Sequence, residues 1–147
     1  MLDMHQDILA ARFCGEGAPE WSIRQEVEGL FNFPFPLKWA YPIDNSTGIP
    51  TKESCSKLSW GLGQFSLSAS IAYDSLYNNK DGVGDAFDGF WMKVADTFKD
   101  NQYVIGYEII NEPWAGNIYE EPWKLIPSVA DRVNLQPFHD RVANRVR

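Results

Sequence analysis

The 147 residues, 44% of them hydrophobic, suffice for one domain with a sizeable core, but a complete eight-stranded (β/α) barrel needs about 250 residues. A net charge of -7 and a pI of about 4.7 argue against a nucleic-acid partner or an anionic membrane surface as the main target. No apolar run approaches the roughly 20 residues that cross a bilayer, so no transmembrane segment is expected.

Residues 1–7 lack a basic leader, an apolar stretch and a small-residue cleavage site, so they do not read as a secretory signal. They read as the carboxyl end of a strand whose first residues are missing, and 142–147 stop inside an expected helix, so both ends are expected to be cut. Residues 8–19 form a loop, with Gly15, Gly17 and Pro19 marking turns. Trp21, Ile23, Val27 and Leu30 are spaced for a short helix within 20–31. Prolines at 34, 36, 42 and 50 forbid a long element in 32–55, and the aromatics between them, Trp39 among them, suggest an ordered loop.

Helical spacing returns at 60–76 through Phe65, Ala69, Ala72, Tyr73 and Leu76, with Ser66, Ser68 and Ser70 lowering the propensity. After a turn at 78–85, Asp85 is the natural cap of a helix whose stripe contains Phe87, Phe90, Trp91, Val94 and Phe98. That helix feeds a Val-, Ile- and Tyr-rich run at 103–110, which reads as a buried strand. A loop follows. Pro137 then reads as the first residue of a last helix, carrying Phe138, Val142 and Val146 inward. A helix feeding a strand is half of a repeating βα pattern, so the fold class is α/β. No second domain is expected within residues 1–147.

The strand at 103–110 ends in Asn111, Glu112, Pro113 and Trp114. Barrel enzymes place their chemistry at such carboxyl ends. A glycosidic oxygen is a poor leaving group and needs a proton in the transition state, which a half-buried Glu112 can deliver. Asn111 can donate to the neighbouring sugar hydroxyl, and Trp114 offers a flat apolar face. The same triplet also reads as a plain strand terminator. With a two-residue period, Glu108, Ile110 and Glu112 share a face, which makes Glu108 an orienting group deeper in the site or a carboxylate satisfied elsewhere. His5 and Asp7, two apart, share another face and suit sugar hydroxyls; either one alone also reads as a satisfied polar residue that fixes a loop. A metal is not expected: the other histidine, His139, stands on the last helix, and zinc needs at least three protein ligands. No cofactor is implied.

Three stretches, Met4-His5-Gln6-Asp7, Phe13-Cys14-Gly15-Glu16-Gly17 and Asn111-Glu112-Pro113-Trp114, resemble those of the endoglycoceramidases of glycoside hydrolase family 5, and the resemblance runs over nearly the whole chain. It implies a fragment of a (β/α)8 TIM barrel from the end of strand 3 through helix 4. The implied activity is retaining hydrolysis of the β-linkage between oligosaccharide and ceramide in glycosphingolipids. It implies Glu112 as acid/base and His5, Asp7 and Asn111 as contacts to the reducing-end glucose. The nucleophile, a glutamate on strand 7, has no counterpart here, so the isolated fragment is expected to be inactive. Two other readings stand beside this one: a family 5 β-glucanase or β-mannanase on soluble polysaccharide, and an inactive glycan- or glycolipid-binding protein. Asn45-Ser46-Thr47 is an N-glycosylation acceptor in a loop-like region, a pattern that often arises by chance and is compatible with export. The setting typical of the family, secreted or lysosomal, favours a Cys14–Cys55 disulfide over two buried thiols, and allows peripheral contact with a membrane or micelle.

Overall fold

The computed structural model describes residues 1–23, 44–57 and 61–147. The expected loop aromatics Phe31, Phe33, Phe35, Trp39 and Tyr41, most of the helix expected at 20–31, and Trp60 lie outside the described residues. Two short strands, β1 (Leu2–Asp3) and β2 (Tyr107–Glu108), pair in parallel, with Leu2 opposite Tyr107 and Asp3 opposite Glu108. The main-chain bonds Leu2 N to Gly106 O (3.0 Å) and Met4 N to Glu108 O (3.1 Å) extend the ladder by a residue on either side. A parallel pair so far apart in sequence requires a long crossover, and helices supply it.

Four α-helices occupy the described residues: α1 (Lys52–Ser56), α2 (Leu67–Tyr77), α3 (Val83–Phe98) and α4 (Gln136–Val146). α2 starts later than its apolar spacing predicts, because Ser66 caps it by accepting from Ala69 N (3.1 Å). Phe65 is left outside, 45% exposed. Once begun, α2 is buried on nearly every side, so Ser68 and Ser70 are interior residues rather than a solvated face. α3 begins before the expected cap. Gly82 precedes it, and Asp85 exchanges two hydrogen bonds with Asn79, Asp85 N to Asn79 Oδ1 (2.8 Å) and Asn79 Nδ2 to Asp85 Oδ2 (2.9 Å). Pro137 also falls inside a helical run: the π-helical turn Asp131–Leu135 leads directly into α4, so the proline's missing N–H sits where the two geometries meet.

Tyr73, Trp91, Phe138 and Val142 form the centre of the core, none more than 2% exposed. Trp91 of α3 donates Nε1–H to Ile109 O (3.0 Å), which pins β2 to its covering helix. Arg141 of α4 spans to Asp88 of α3 (3.2 Å) and to Tyr77 O of α2 (3.0 Å), joining three helices. The buried strand expected at 103–110 is overturned at its start. Tyr103 and Ile105 are 81% and 89% exposed, because the paired segment begins only at Gly106 and β2 has a ladder partner on one side alone among the described residues.

Candidate active site

Because β1 and β2 run parallel, the residues that follow them, His5-Gln6-Asp7 and Asn111-Glu112, leave at the same end of the pair. The link between the two is Gln6, fully buried. Its N–H donates to Asn111 Oδ1 (2.6 Å), and its side-chain Nε2 donates to Asn111 O (2.7 Å) and to Glu112 O (3.4 Å). On the other side of the amide, Oε1 accepts from Leu9 N (2.7 Å) and from the Tyr73 hydroxyl (2.6 Å). Burial raises the Tyr73 pKa well above its ordinary value, which keeps the hydroxyl protonated as a donor. With Asn111 Oδ1 turned to Gln6, its Nδ2 faces away and is left to donate elsewhere.

Alternation accounts for the arrangement at the first strand end. In an extended segment Gln6 points opposite to His5 and Asp7, so it enters the core while they stay at the rim. That alternation is the signal by which Gln6 could have been found from sequence; Tyr73, a helix residue 67 positions away, left none.

The loop after β1 presses against this segment. Asp7 and Glu16 exchange main-chain bonds, Asp7 N to Glu16 O (3.0 Å) and Glu16 N to Asp7 O (2.7 Å). A Cβ at Gly15 would lie 1.7 Å from Asp7 O, and one at Gly17, where φ is 120°, would lie 2.5 Å from Gln6 Cβ. Both positions therefore need glycine. A disulfide joins Cys14, in the same loop, to Cys55 of α1.

His5 is exposed, with Nδ1 3.3 Å from Asp3 Oδ2 and Nε2 3.7 Å from Asp7 Oδ2. Glu16 joins them: donor atoms of His5, Asp7 and Glu16 all lie within 4.8 Å of one another. Sequence reasoning counted only two donors here, since nothing local announces the bridge that brings Glu16 across. By donor count the three could hold a cation, and they equally suit sugar hydroxyls.

Glu112 is exposed, at φ 39°, so it is not the half-buried carboxyl expected. The shared face of Glu108, Ile110 and Glu112 ends at Ile110, which is 4% exposed: Asn111 turns back to Gln6 and Glu112 adopts left-handed backbone, so the two-residue period stops there. Glu108 remains half-buried on β2. Trp114 is half-buried and anchored to α2. Its Nε1 donates to Ser70 Oγ (3.2 Å), Phe65 meets it edge-on at 4.8 Å, and its carbonyl accepts from Tyr77 (2.5 Å). Only the part of the indole that α2 leaves uncovered can meet a ring.

The segment beyond Trp114 is tied down by charge. Lys124, 4% exposed, pairs with Asp74 of α2 (3.0 Å) and with Glu121, and Lys80 approaches Asp74 from outside (3.4 Å). Burial alone would raise the Asp74 carboxyl, but the Lys124 and Lys80 ammonium groups bring it below its ordinary value. Burial would lower Lys124, and Glu121 and Asp74 together raise it instead.

The profile described as Cellulase (glycosyl hydrolase family 5) matches residues 53–147. Over all 147 residues the chain is 47% identical to an endoglycoceramidase of Cyanea nozakii and 45% identical to one of Hydra vulgaris, spanning 29% and 28% of those proteins. A solved structure, endo-glycoceramidase II from Rhodococcus sp. in complex with a five-membered iminocyclitol, superposes on the whole chain with a TM-score of 0.68 at 25% identity, with 28% of that protein covered. The chain thus spans less than a third of the relatives it matches, and its fold is part of their barrel. The strand-end Asn111-Glu112 pair stands within the matched profile, and the chain belongs to glycosyl hydrolase family 5.

Proposed function

We propose that the protein containing this chain is a retaining endo-acting glycosidase that cleaves the β-linkage between oligosaccharide and ceramide in glycosphingolipids. The observation that carries the reading is the single rim formed by His5, Asp7, Asn111 and Glu112 in a chain aligned end to end with endoglycoceramidases. On this reading the 147 residues are one stretch of a catalytic domain, with β1 as the third barrel strand and β2 the fourth.

Glu112 donates its proton to the glycosidic oxygen as the anomeric C–O bond breaks, then takes one from water as the glycosyl-enzyme is hydrolysed. Its exposed position at the rim leaves room for the departing ceramide oxygen. Asn111, with Nδ2 turned away from Gln6, donates to the adjacent sugar hydroxyl, and His5 and Asp7 hold the same ring. Trp114 packs on the sugar with its uncovered side. The nucleophilic carboxylate comes from another barrel strand, since retention requires a second carboxyl group about 5 Å from the first. Exposed Trp123, Leu125 and Ile126, just beyond the strand end, suit contact with lipid at a membrane or micelle surface. The disulfide and the exposed Asn45 of the Asn45-Ser46-Thr47 acceptor suit a secreted or lysosomal protein bearing a glycan there.

The test is Glu112→Gln in the natural full-length polypeptide. Turnover of a glycosphingolipid should fall by about 10²–10⁴-fold, the ordinary share of general acid/base catalysis, with the fold and glycolipid binding retained. A wild-type rate in that variant would sink the assignment. Hydrolysis of a soluble β-glucan by the wild type, without cleavage of glycolipid, would replace the substrate class.

A further inference from the structure

We infer that Gln6, held by Tyr73, is a positioning residue that sets the main chain of the acid/base Glu112. The inference rests on the reading of Glu112 above. Glu112 has φ 39°, a left-handed conformation that a side chain other than glycine adopts at a cost, so something must hold it there. Among the described residues, the side-chain group that reaches its main chain is the Gln6 carboxamide, through Glu112 O (3.4 Å) and, more closely, through Asn111 O one residue earlier (2.7 Å).

The amide cannot be turned over. Leu9 N and Tyr73 Oη both donate to Oε1, so the opposite face of the amide must be the NH₂, and that is the face that meets the two carbonyls. Gln6, Leu9 and Tyr73 are buried, where an unpaired polar group is costly, so the two donors to Oε1 fix which edge of the amide meets the partly buried carbonyls of Asn111 and Glu112. The same amide braces a second left-handed stretch. Ile8 and Leu9 have φ of 51° and 65°, and Leu9 N is one of its donors. One side chain thus fixes both strand ends of the rim. The division of labour is also visible: the main-chain N–H of Gln6, not its side chain, orients the Asn111 amide. Replacing the Gln6 side chain should therefore disturb Glu112 while leaving the Asn111 side chain in place.

The experiment separates steps that need the acid from steps that do not. Cleavage of a glycolipid leaves an alkoxide that must be protonated as the C–O bond breaks. An aryl β-glycoside of the same oligosaccharide with an acidic phenol departs as phenolate and carries the electron pair itself. In the full-length polypeptide, Gln6→Met should lower kcat/KM for the glycolipid by about 30-fold and for the aryl glycoside by less than about 5-fold, because only the first reaction draws on the acid's share of catalysis. Gln6→Glu keeps the shape but turns an oxygen toward the two carbonyls, and should show the same split. A merely structural role would lower both substrates by one factor, and that result, or unchanged rates for both, would overturn the inference. If the Gln6 variants do not fold, Tyr73→Phe, which removes one donor to Oε1, carries the test: the split should run the same way at about 3-fold, and equal factors overturn it. Run beside them, Glu112→Gln tells the two claims apart. Its failure to lower glycolipid cleavage removes the acid and the clamp together, whereas its success with an unaffected Gln6→Met removes the clamp alone.

Discussion

Single atoms decide how the rim is closed. At Gly15 the missing Cβ is what lets the loop lie on the Asp7 carbonyl, since a methyl carbon would stand 1.7 Å from that oxygen. Gly15→Ala should therefore break the Asp7–Glu16 exchange and lower the stability of the full-length protein by about 3 kcal/mol, the upper range for forced overpacking. Gly89, exposed in α3 with nothing near its would-be Cβ, is the control. Gly89→Ala should be neutral or stabilise by about 0.5–1 kcal/mol through helix propensity. Urea midpoints of the two variants check both; equal shifts would show that the close approach at Gly15 carries no energy. At this scale the sequence was legible where position is local: that His5, Asp7, Asn111 and Glu112 follow strands and stand at one end of the pair could be read from strand-end position and spacing. Glu16 and Tyr73 do not, because each reaches the rim through a contact that no periodicity encodes.

Among the elements, α2 departs furthest from its sequence signal. Its apolar positions predict one buried stripe, yet it is buried on nearly all sides, so its polar residues have become structural. Asp74 shows the consequence. It meets buried Lys124 from the segment that follows the strand end, and the pair acts as a latch between α2 and that segment. Neutral Asp74→Asn would leave Lys124 buried with Glu121 alone and should cost about 3 kcal/mol at neutral pH, as for other broken buried pairs. The pH dependence has a definite sign. The Asp74 carboxyl lies below its ordinary 3.8 when folded, so its contribution is complete above that value and is lost as the pH falls through the lowered one. Lys124 lies above its ordinary 10.5, so its contribution is complete below that value and is lost as the pH rises through the raised one. Thermal unfolding of the wild type should thus drop at both extremes, and below the ordinary carboxylate range the Asp74→Asn curve should fall less steeply. Parallel curves for the two proteins would mean that the latch does not titrate. The helix starts were misread for a related reason: Ser66 caps through its own side chain, whereas Asp85 is served by Asn79 from a neighbouring turn, a contact that spacing cannot foresee.

At the scale of the whole molecule, the parallel pairing of two short strands, with helices in the crossover, was legible because a helix feeding a strand implies a βα repeat. The extent of β2 was not, because burial of a strand depends on what stands on either side of it, and Tyr103 and Ile105 have apolar character without cover. What then fixes the loop that carries Cys14, Glu16 and Gly17 against Gln6 is a covalent bond. The Cys14–Cys55 bridge closes a separation of 41 residues, and chain-entropy reasoning assigns such a closure about 4 kcal/mol. The bridge also ties the rim loop to α1, so its loss should reach the site as well as the fold. In the full-length protein, the double variant Cys14→Ser, Cys55→Ser should unfold at lower temperature than the wild type and should show weaker sugar binding at temperatures where it is still folded. Reductant should lower the wild type toward the variant and leave the variant unchanged. The Asp74–Lys124 latch has no thiol, so the loss measured for Asp74→Asn should be the same with reductant and without it. A double variant that binds as tightly as the wild type while melting earlier would confine the bridge to stability and leave the loop's placement to the two glycines.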